Sequence, residues 1–277
     1  MTAHEARFSL SDKAALVLGG SSGIGLQIAQ GMHDAGARVF IAGRTARRVD
    51  DALAALRRSG ASAEGYSGDV TRPEDLERVV AKSIAASGGV DILVNSQGIT
   101  VLKPAEDVTR QDLASILDTN LTSVFFACTL VGRHMLARGS GAIVNIASLA
   151  AHRGFPLSAP YTVSKHGVLA LTRTLAAEWG TRGVRVNAIS PGFFMTAINR
   201  DKMKPDRKEA ALRRTPMRRF GELDELVGAA VFLASPAARF MTGQTIVVDG
   251  GFLAAGLDGP ESQNQPKHED QTEGRTA

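Results

Sequence analysis

The stretch Ala14-Ala15-Leu16-Val17-Leu18-Gly19-Gly20-Ser21-Ser22-Gly23-Ile24-Gly25 decides how the rest of this chain is read. Its apolar first half has the length and character of a buried strand, and a helical pattern from Leu26 to His33 follows the glycines directly. A glycine-rich segment alone marks only a tight turn. Strand, glycine turn and helix in that order predict a dinucleotide-phosphate site. Gly19, Gly23 and Gly25 let the backbone approach a pyrophosphate. The helix start, with Ser21, Ser22 and Ile24 around it, offers unpaired N–H groups and a favourable dipole.

The same alternation runs outward along the chain. Strands are expected at Ala14–Leu18, Arg38–Ala42, Ala63–Ser67, Ile92–Asn95, Ala142–Ile146, Arg185–Ile189 and Thr245–Val248. Helical patterns lie between them at Gly23–Ala35, Thr45–Ser59, Pro73–Ser87, Thr109–Leu136, Ala159–Trp179 and Glu222–Leu233. Strand and helix in turn imply an α/β fold, a parallel sheet with right-handed crossovers and helices on both faces. An apolar share of 44% over 277 residues supplies a sizeable core, and the unbroken alternation keeps residues 1–257 in one domain. From Asp258 to Ala277 the chain turns polar with almost nothing to bury, which predicts a disordered tail.

Tyr161-Thr162-Val163-Ser164-Lys165 carries the chemistry. A tyrosine and a lysine four apart on a helix share a face, so phenol and ammonium act at one point. A neighbouring cation favours the phenolate and is expected to pull the tyrosine down toward the working pH range. Ser148 ends the apolar run Ala142–Ala147, which puts its hydroxyl at a strand's carboxyl end, where open α/β sheets place ligands. Tyr-x-x-x-Lys on its own is common on exposed helix faces. Its meaning here comes from the glycine turn upstream.

Together these features resemble the short-chain dehydrogenase/reductase family, from about Phe8 to Leu257. The resemblance implies a single-domain Rossmann fold with a doubly wound parallel sheet of about seven strands. It implies an active-site set of Asn120 (in Thr119-Asn120-Leu121), Ser148, Tyr161 and Lys165. Pro191-Gly192-Phe193-Phe194-Met195-Thr196 matches the segment that holds a nicotinamide carboxamide, Asp69-Val70 the pair beside the adenine, and Asn95-Ser96-Gln97-Gly98 the family's Asn-Asn-Ala-Gly. Leu18 stands where the family has a threonine, and Ser96-Gln97 where it has Asn-Ala. Both departures fall on one contact beneath the cofactor, and leucine donates no hydrogen bond, so a differently packed cofactor floor is expected.

The implied chemistry is NAD(P)(H)-dependent interconversion of a secondary alcohol and a ketone. Ser148 stabilises charge on the carbonyl oxygen, Tyr161 exchanges the proton, Lys165 assists the tyrosine and holds the nicotinamide ribose, and Asn120 positions a relay water. At the end of the second strand, Gly43 stands where NAD-specific relatives place an acid, and Arg44 and Thr45 follow. A guanidinium there suits a 2′-phosphate, so NADP(H) is expected over NAD(H); the alternative is a surface arginine at a helix start, with Arg47 and Arg48 as further solvent-facing charges. Within the family the segments Phe8-Ser9-Leu10, Arg218–Glu222, Ala230–Ser235 and Val248–Ala254 look most like the gluconate 5-dehydrogenase group and related sugar-acid and polyol oxidoreductases. Most also occur in 3-oxoacyl-thioester reductases. A nucleotide-sensing regulator without turnover is the reading from another class, and such proteins are expected to lose the tyrosine or lysine kept here.

Net charge is +4, but nine basic residues lie between Arg200 and Arg219 against Asp201, Asp206 and Glu209. The resemblance places a substrate lid there, near residues 197–219. The cluster fits a solvated helix face, or cations that read an anionic substrate. Confined to one segment without aromatics, it does not predict nucleic-acid binding. His152 and Arg153, between Ser148 and Tyr161, fit either exposed loop positions or contacts to a polar substrate. The single cysteine, Cys128, reads as a small buried hydrophobe, and the six scattered histidines have no metal-ligand spacing. No leader-like segment precedes Lys13 and no run approaches a membrane span, so a cytoplasmic enzyme is expected. The family resemblance implies a homotetramer.

Overall fold

Apolar residues alternate along the central strands with no polar face, which is what a sheet covered on both sides requires. In the computed structural model, which describes residues 3–195 and 203–255, these strands form one parallel sheet in the order β3-β2-β1-β4-β5-β6-β7. The strands are β1 (Ala14–Leu18), β2 (Arg38–Gly43), β3 (Ala63–Ser67), β4 (Ile92–Asn95), β5 (Gly141–Ile146), β6 (Val184–Pro191) and β7 (Thr245–Val248). All pairings are parallel, with Leu18 beside Ala42 on one side and Asn95 on the other. The order reverses between β1 and β4, so a crevice opens at their carboxyl ends.

Two cores sandwich the sheet. Ala15, Val17, Val39 and Ile41 face α2 (Gly23–Asp34), α3 (Ala46–Arg58) and α9 (Val227–Ala234). Leu16, Leu18, Phe40 and Leu93 face α4 (Pro73–Ser87), α6 (Ser123–Arg138) and α7 (Ala159–Trp179). Leu18 is fully buried in the second core, so its packing is that of an ordinary interior leucine. A short α1 (Ala3–Phe8) is a helix that the sequence pattern did not mark, and α8 (Pro205–Arg214) gives the basic segment the helical character that one reading of it allowed. Both lack a sustained apolar stripe; the second begins with a proline at its first turn.

The expected helix Thr109–Leu136 is divided. It starts as α5 (Arg110–Leu117) behind a Thr109/Asp112 capping box, passes through a π-turn at Asp118–Thr122, and continues as α6. In the π-turn the Ser123 N–H reaches back to the Asp118 carbonyl, and Ser123 Oγ donates to the Thr119 carbonyl at 2.7 Å. Such turns re-aim a side chain within a helix, and this one contains Asn120. The whole run Arg110–Arg138, 29 residues, is long and apolar enough to cross a membrane by length and composition, contrary to the expectation from the sequence. Its apolar residues Val124, Ala127, Cys128, Val131 and Met135 lie in the core against the sheet.

Candidate active site

The carboxyl ends of β1, β2, β4, β5 and β6 line a cleft of about 830 Å³, the size range of a ligand site. One end is the glycine turn. Gly19 has φ +76°, and a β-carbon there would fall 2.7 Å from the Gln97 amide nitrogen, so only glycine lets the turn rest on the floor after β4. Ser21, Ser22, Gly23, Ile24 and Gly25 carry the turn into α2 along the same wall. Asp69 and Val70 lie across from them, with Asp69 accepting bonds from the Thr71 amide and hydroxyl at 3.0 and 2.8 Å. These residues leave a backbone-lined cradle of the kind a dinucleotide fills.

Arg44 and Thr45 line the same cleft beyond the glycine turn, and so does Arg48, which is solvent-exposed as read from sequence. Arg44 precedes the N-cap of α3, Thr45, and Arg48 lies in the first turn of that helix, so both come from the segment that joins β2 to α3. Among the described residues neither has an ion-pair partner, whereas Arg47 approaches Asp51 at 3.9 Å. Gly43 is buried against the glycine turn. A β-carbon there would lie 2.3 Å from Ser21 Oγ and 2.9 Å from Ser21 Cβ, so an acid at this position displaces Ser21. Two cations without an ion-pair partner among the described residues, and glycine rather than an acid at position 43, are a donor set for a phosphate, although Asp51 and Asp69 also line the cleft.

At the other end stand Ser148, Tyr161 and Lys165. Ser148 leaves β5 in extended conformation and caps the turn that follows, accepting from the Ala150 amide at 3.2 Å. The Ser148 hydroxyl lies near enough to the Tyr161 hydroxyl to favour the phenolate. Lys165, one turn further along α7, is buried; its Nζ donates to the Ile146 carbonyl at 2.7 Å and lies 5.8 Å from the Tyr161 ring centroid. Burial pushes Lys165 down to about 8, because a desolvated ammonium is costly. Tyr161 is raised from its ordinary value by burial, and Ser148 acts in the opposite direction. The lowered phenol expected from sequence is therefore corrected: desolvation outweighs the effect of Ser148.

Asn120 does not line the cleft. It is fully buried behind the wall, where Oδ1 accepts from the Ile99 amide at 2.8 Å and Nδ2 faces the Ile99 carbonyl and Ser164 Oγ at 2.9 and 3.1 Å. Gly98 faces both Asn120 and Lys165: a β-carbon there would lie 3.5 Å from Asn120 Oδ1 and 3.8 Å from Lys165 Nζ. Asn95 is likewise beneath the floor, donating to Asn145 Oδ1 at 2.8 Å and to Cys128 Sγ at 3.3 Å. Desolvation holds the Cys128 thiol up at about 12, so it is an inert core group. Pro191, Gly192 and Phe194 close the cleft, and Gly192 presses on Asp249, 2.6 Å from where a β-carbon would sit to its Cα. Thr196, residues 197–202 of the expected lid, and the tail 258–277 lie outside the described residues.

The remaining lid residues sort by environment. Arg213 approaches Glu209 at 3.5 Å and Arg219 pairs with Glu225 at 2.5 Å, while Arg214 and Arg218 are exposed. Arg207 is half-buried and shares a face of α8 with buried Ala211. His152 Nε2 lies 2.9 Å from Ser190 Oγ, at the end of β6, and does not line the cleft.

Residues 19–253 match the profile of a family described as Enoyl-(Acyl carrier protein) reductase. The gluconate 5-dehydrogenase of Gluconobacter oxydans (strain 621H) is 40% identical over 254 residues, covering 91% of this chain and 99% of that protein. The D-threitol dehydrogenase of Mycolicibacterium smegmatis is 40% identical over 245 residues, covering 88% and 94%. A crystal structure of a gluconate 5-dehydrogenase from Burkholderia cenocepacia J2315 in complex with NADP and tartrate superposes with a TM-score of 0.87 at 36% identity, covering 91% of this chain and 99% of that one.

Proposed function

The chain belongs to the short-chain dehydrogenase/reductase family, and from that premise we propose that it is an NADP(H)-dependent oxidoreductase interconverting a secondary alcohol and a ketone on a sugar acid or polyol. The observation that carries this reading is the meeting of Ser148, Tyr161 and Lys165 in one cleft with the glycine turn. When bound, the dinucleotide supplies or accepts the hydride. The chain's own residues do the rest. Ser148 donates a hydrogen bond to the carbonyl oxygen as negative charge grows there, and Tyr161 delivers the proton to that oxygen. Lys165 puts a buried positive charge next to the tyrosine, which favours proton release when the ring becomes tyrosinate. Asn120 acts from behind, by fixing the Ile99 backbone beside Lys165.

Arg44 and Arg48 read the 2′-phosphate, and Thr196 with Pro191 and Gly192 hold the carboxamide. Gly43 supports the same preference, since position 43 itself carries no carboxylate to bind an unphosphorylated ribose. Residues 1–257 form the one catalytic domain, with its lid near 197–219. The sugar-acid reading is supported by the gluconate 5-dehydrogenase relative, and the neutral-polyol reading by the threitol dehydrogenase. A reductase of 3-oxoacyl thioesters is the second reading, favoured by the description of the matched family. A regulator without turnover has less support, because tyrosine and lysine are both in place. A cytoplasmic homotetramer is the state we propose for the working enzyme. The test is NADPH oxidation against 5-keto-D-gluconate, neutral keto-sugars and acetoacetyl thioesters. Fastest turnover of the thioester selects the second reading, and no turnover of any carbonyl selects the regulator.

A further inference from the structure

We propose that Gln97 is a positioning residue, clamping the cofactor floor after β4 to the π-turn that presents Asn120. Three contacts place it there. Its backbone lies directly under the glycine turn, where Gly19 approaches the amide nitrogen too closely for any β-carbon. Its side chain points the other way, and Nε2 donates to Ser123 Oγ at 3.0 Å. That hydroxyl donates in turn to the Thr119 carbonyl at 2.7 Å, inside the π-turn. Two residues along, Ile99 exchanges both backbone bonds with the Asn120 amide. The segment 97–99 is thus gripped at both ends by the turn that carries Asn120.

The clamp sits where the consequences reach the chemistry. Gly98, between the two grips, faces Asn120 and Lys165 together. A shift of the floor therefore moves the backbone against which both side chains are set. Packing alone does not explain the amide. Gln97 is buried to 8% exposure and its Oε1 meets no partner, so an apolar side chain of the same size would be less costly at this place. What the amide adds is the bond from Nε2 to Ser123. The departure at Ser96-Gln97 that stood out in the sequence is, on this account, a reinforcement of the floor from the α6 side.

This inference rests on the oxidoreductase reading for its effect on turnover, so the test carries a binding measurement that does not. Gln97→Met removes the amide at nearly constant volume, Ser123→Ala removes its acceptor, and Ser123→Thr keeps the hydroxyl. For each, kcat, KM, the pH profile of kcat, the NADP⁺ dissociation constant and the melting temperature are measured on the full chain. The clamp predicts that Gln97→Met and Ser123→Ala each lower kcat about tenfold or more, since small misplacements of a reacting geometry are amplified in rate. The carbonyl KM stays within about twofold, the NADP⁺ dissociation constant rises, the alkaline limb of the profile moves, and the double variant is no worse than either single one, because both remove one bond. Ser123→Thr stays near wild type. Unchanged kcat, profile and NADP⁺ affinity in Gln97→Met, additive losses in the double variant, or losses that only track melting temperature would each overturn the clamp. A wild-type protein that turns over no carbonyl but loses NADP⁺ affinity in both variants would defeat the oxidoreductase reading and leave the clamp standing.

Discussion

Replacing Arg44 by alanine tests how the cleft reads its dinucleotide. The guanidinium lines the cleft without an ion-pair partner among the described residues, so the substitution strands no buried carboxylate. A charge-assisted hydrogen bond contributes roughly 1.5–3 kcal/mol. Arg44 is exposed, and solvent screening reduces that to about 1–2 kcal/mol. At about 1.4 kcal/mol per decade, the NADP⁺ dissociation constant should rise roughly five- to thirtyfold. NAD⁺ lacks the phosphate, and its dissociation constant should change less than about twofold. Arg48→Ala should shift the NADP⁺ value in the same direction by less, since its side chain is one helical turn further on. Calorimetric titration of both dinucleotides at low and high salt is the assay. Salt should weaken NADP⁺ binding to wild type more than to the double variant, because screening acts on the exposed pair. If the wild type prefers NAD⁺, or the ratio of the two constants is the same in wild type and Arg44→Ala, the phosphate-reading argument is wrong.

Three further outcomes follow from the same geometry. Gly19→Ala should abolish dinucleotide binding and destabilise the fold by at least about 1 kcal/mol, because the position combines φ +76° with a 2.7 Å approach to Gln97; calorimetry and a thermal melt check it. Burial raises the Tyr161 phenol, so the donor stays protonated through neutral pH: kcat/KM for reduction should be flat there and fall on the alkaline side, while oxidation should rise with pH. Those limbs belong to the Tyr161–Lys165 pair, and a profile unchanged in Lys165→Met would contradict the assignment. In the lid, Arg213→Ala and Arg214→Ala should change KM for acidic substrates by less than about fivefold, as exposed contacts do, and Arg207→Ala should raise it more than it raises KM for neutral polyols. Equal effects of Arg207→Ala on both would leave the cluster a solvated face.

Most strands were legible because they are short apolar runs bounded by glycine or polar residues, and β1, β4 and β7 keep the limits read from sequence, as does β3, a mixed edge strand placed by the alternation. The glycine turn, Ser148, Tyr161 and Lys165 were legible for the same reason: their order along the chain fixes their place at one end of a parallel sheet. What escaped depends on contacts between distant segments. No local pattern marks a π-turn at Asn120: Asp118–Thr122 is rich in weak helix formers, but which bonds are re-routed depends on packing. Arg48 is solvent-exposed as read, but that it also lines the cleft depends on where α3 docks. Tyr161 was expected to be lowered by its lysine, but desolvation, a tertiary fact, pushes the other way. Leu18 departs from the family pattern yet simply fills the core, and its neighbour Ser96 keeps the backbone bond to it at 2.9 Å.

The central claim is that this cleft transfers a hydride and that Tyr161 moves the accompanying proton. The direct measurement is NADPH consumption with 5-keto-D-gluconate by wild type and by Tyr161→Phe, alongside the NADP⁺ dissociation constant of each. The account predicts stoichiometric turnover by the wild type, a loss of at least about 10²-fold in kcat on removing the hydroxyl, and unchanged NADP⁺ affinity. Near-normal turnover by Tyr161→Phe would contradict it.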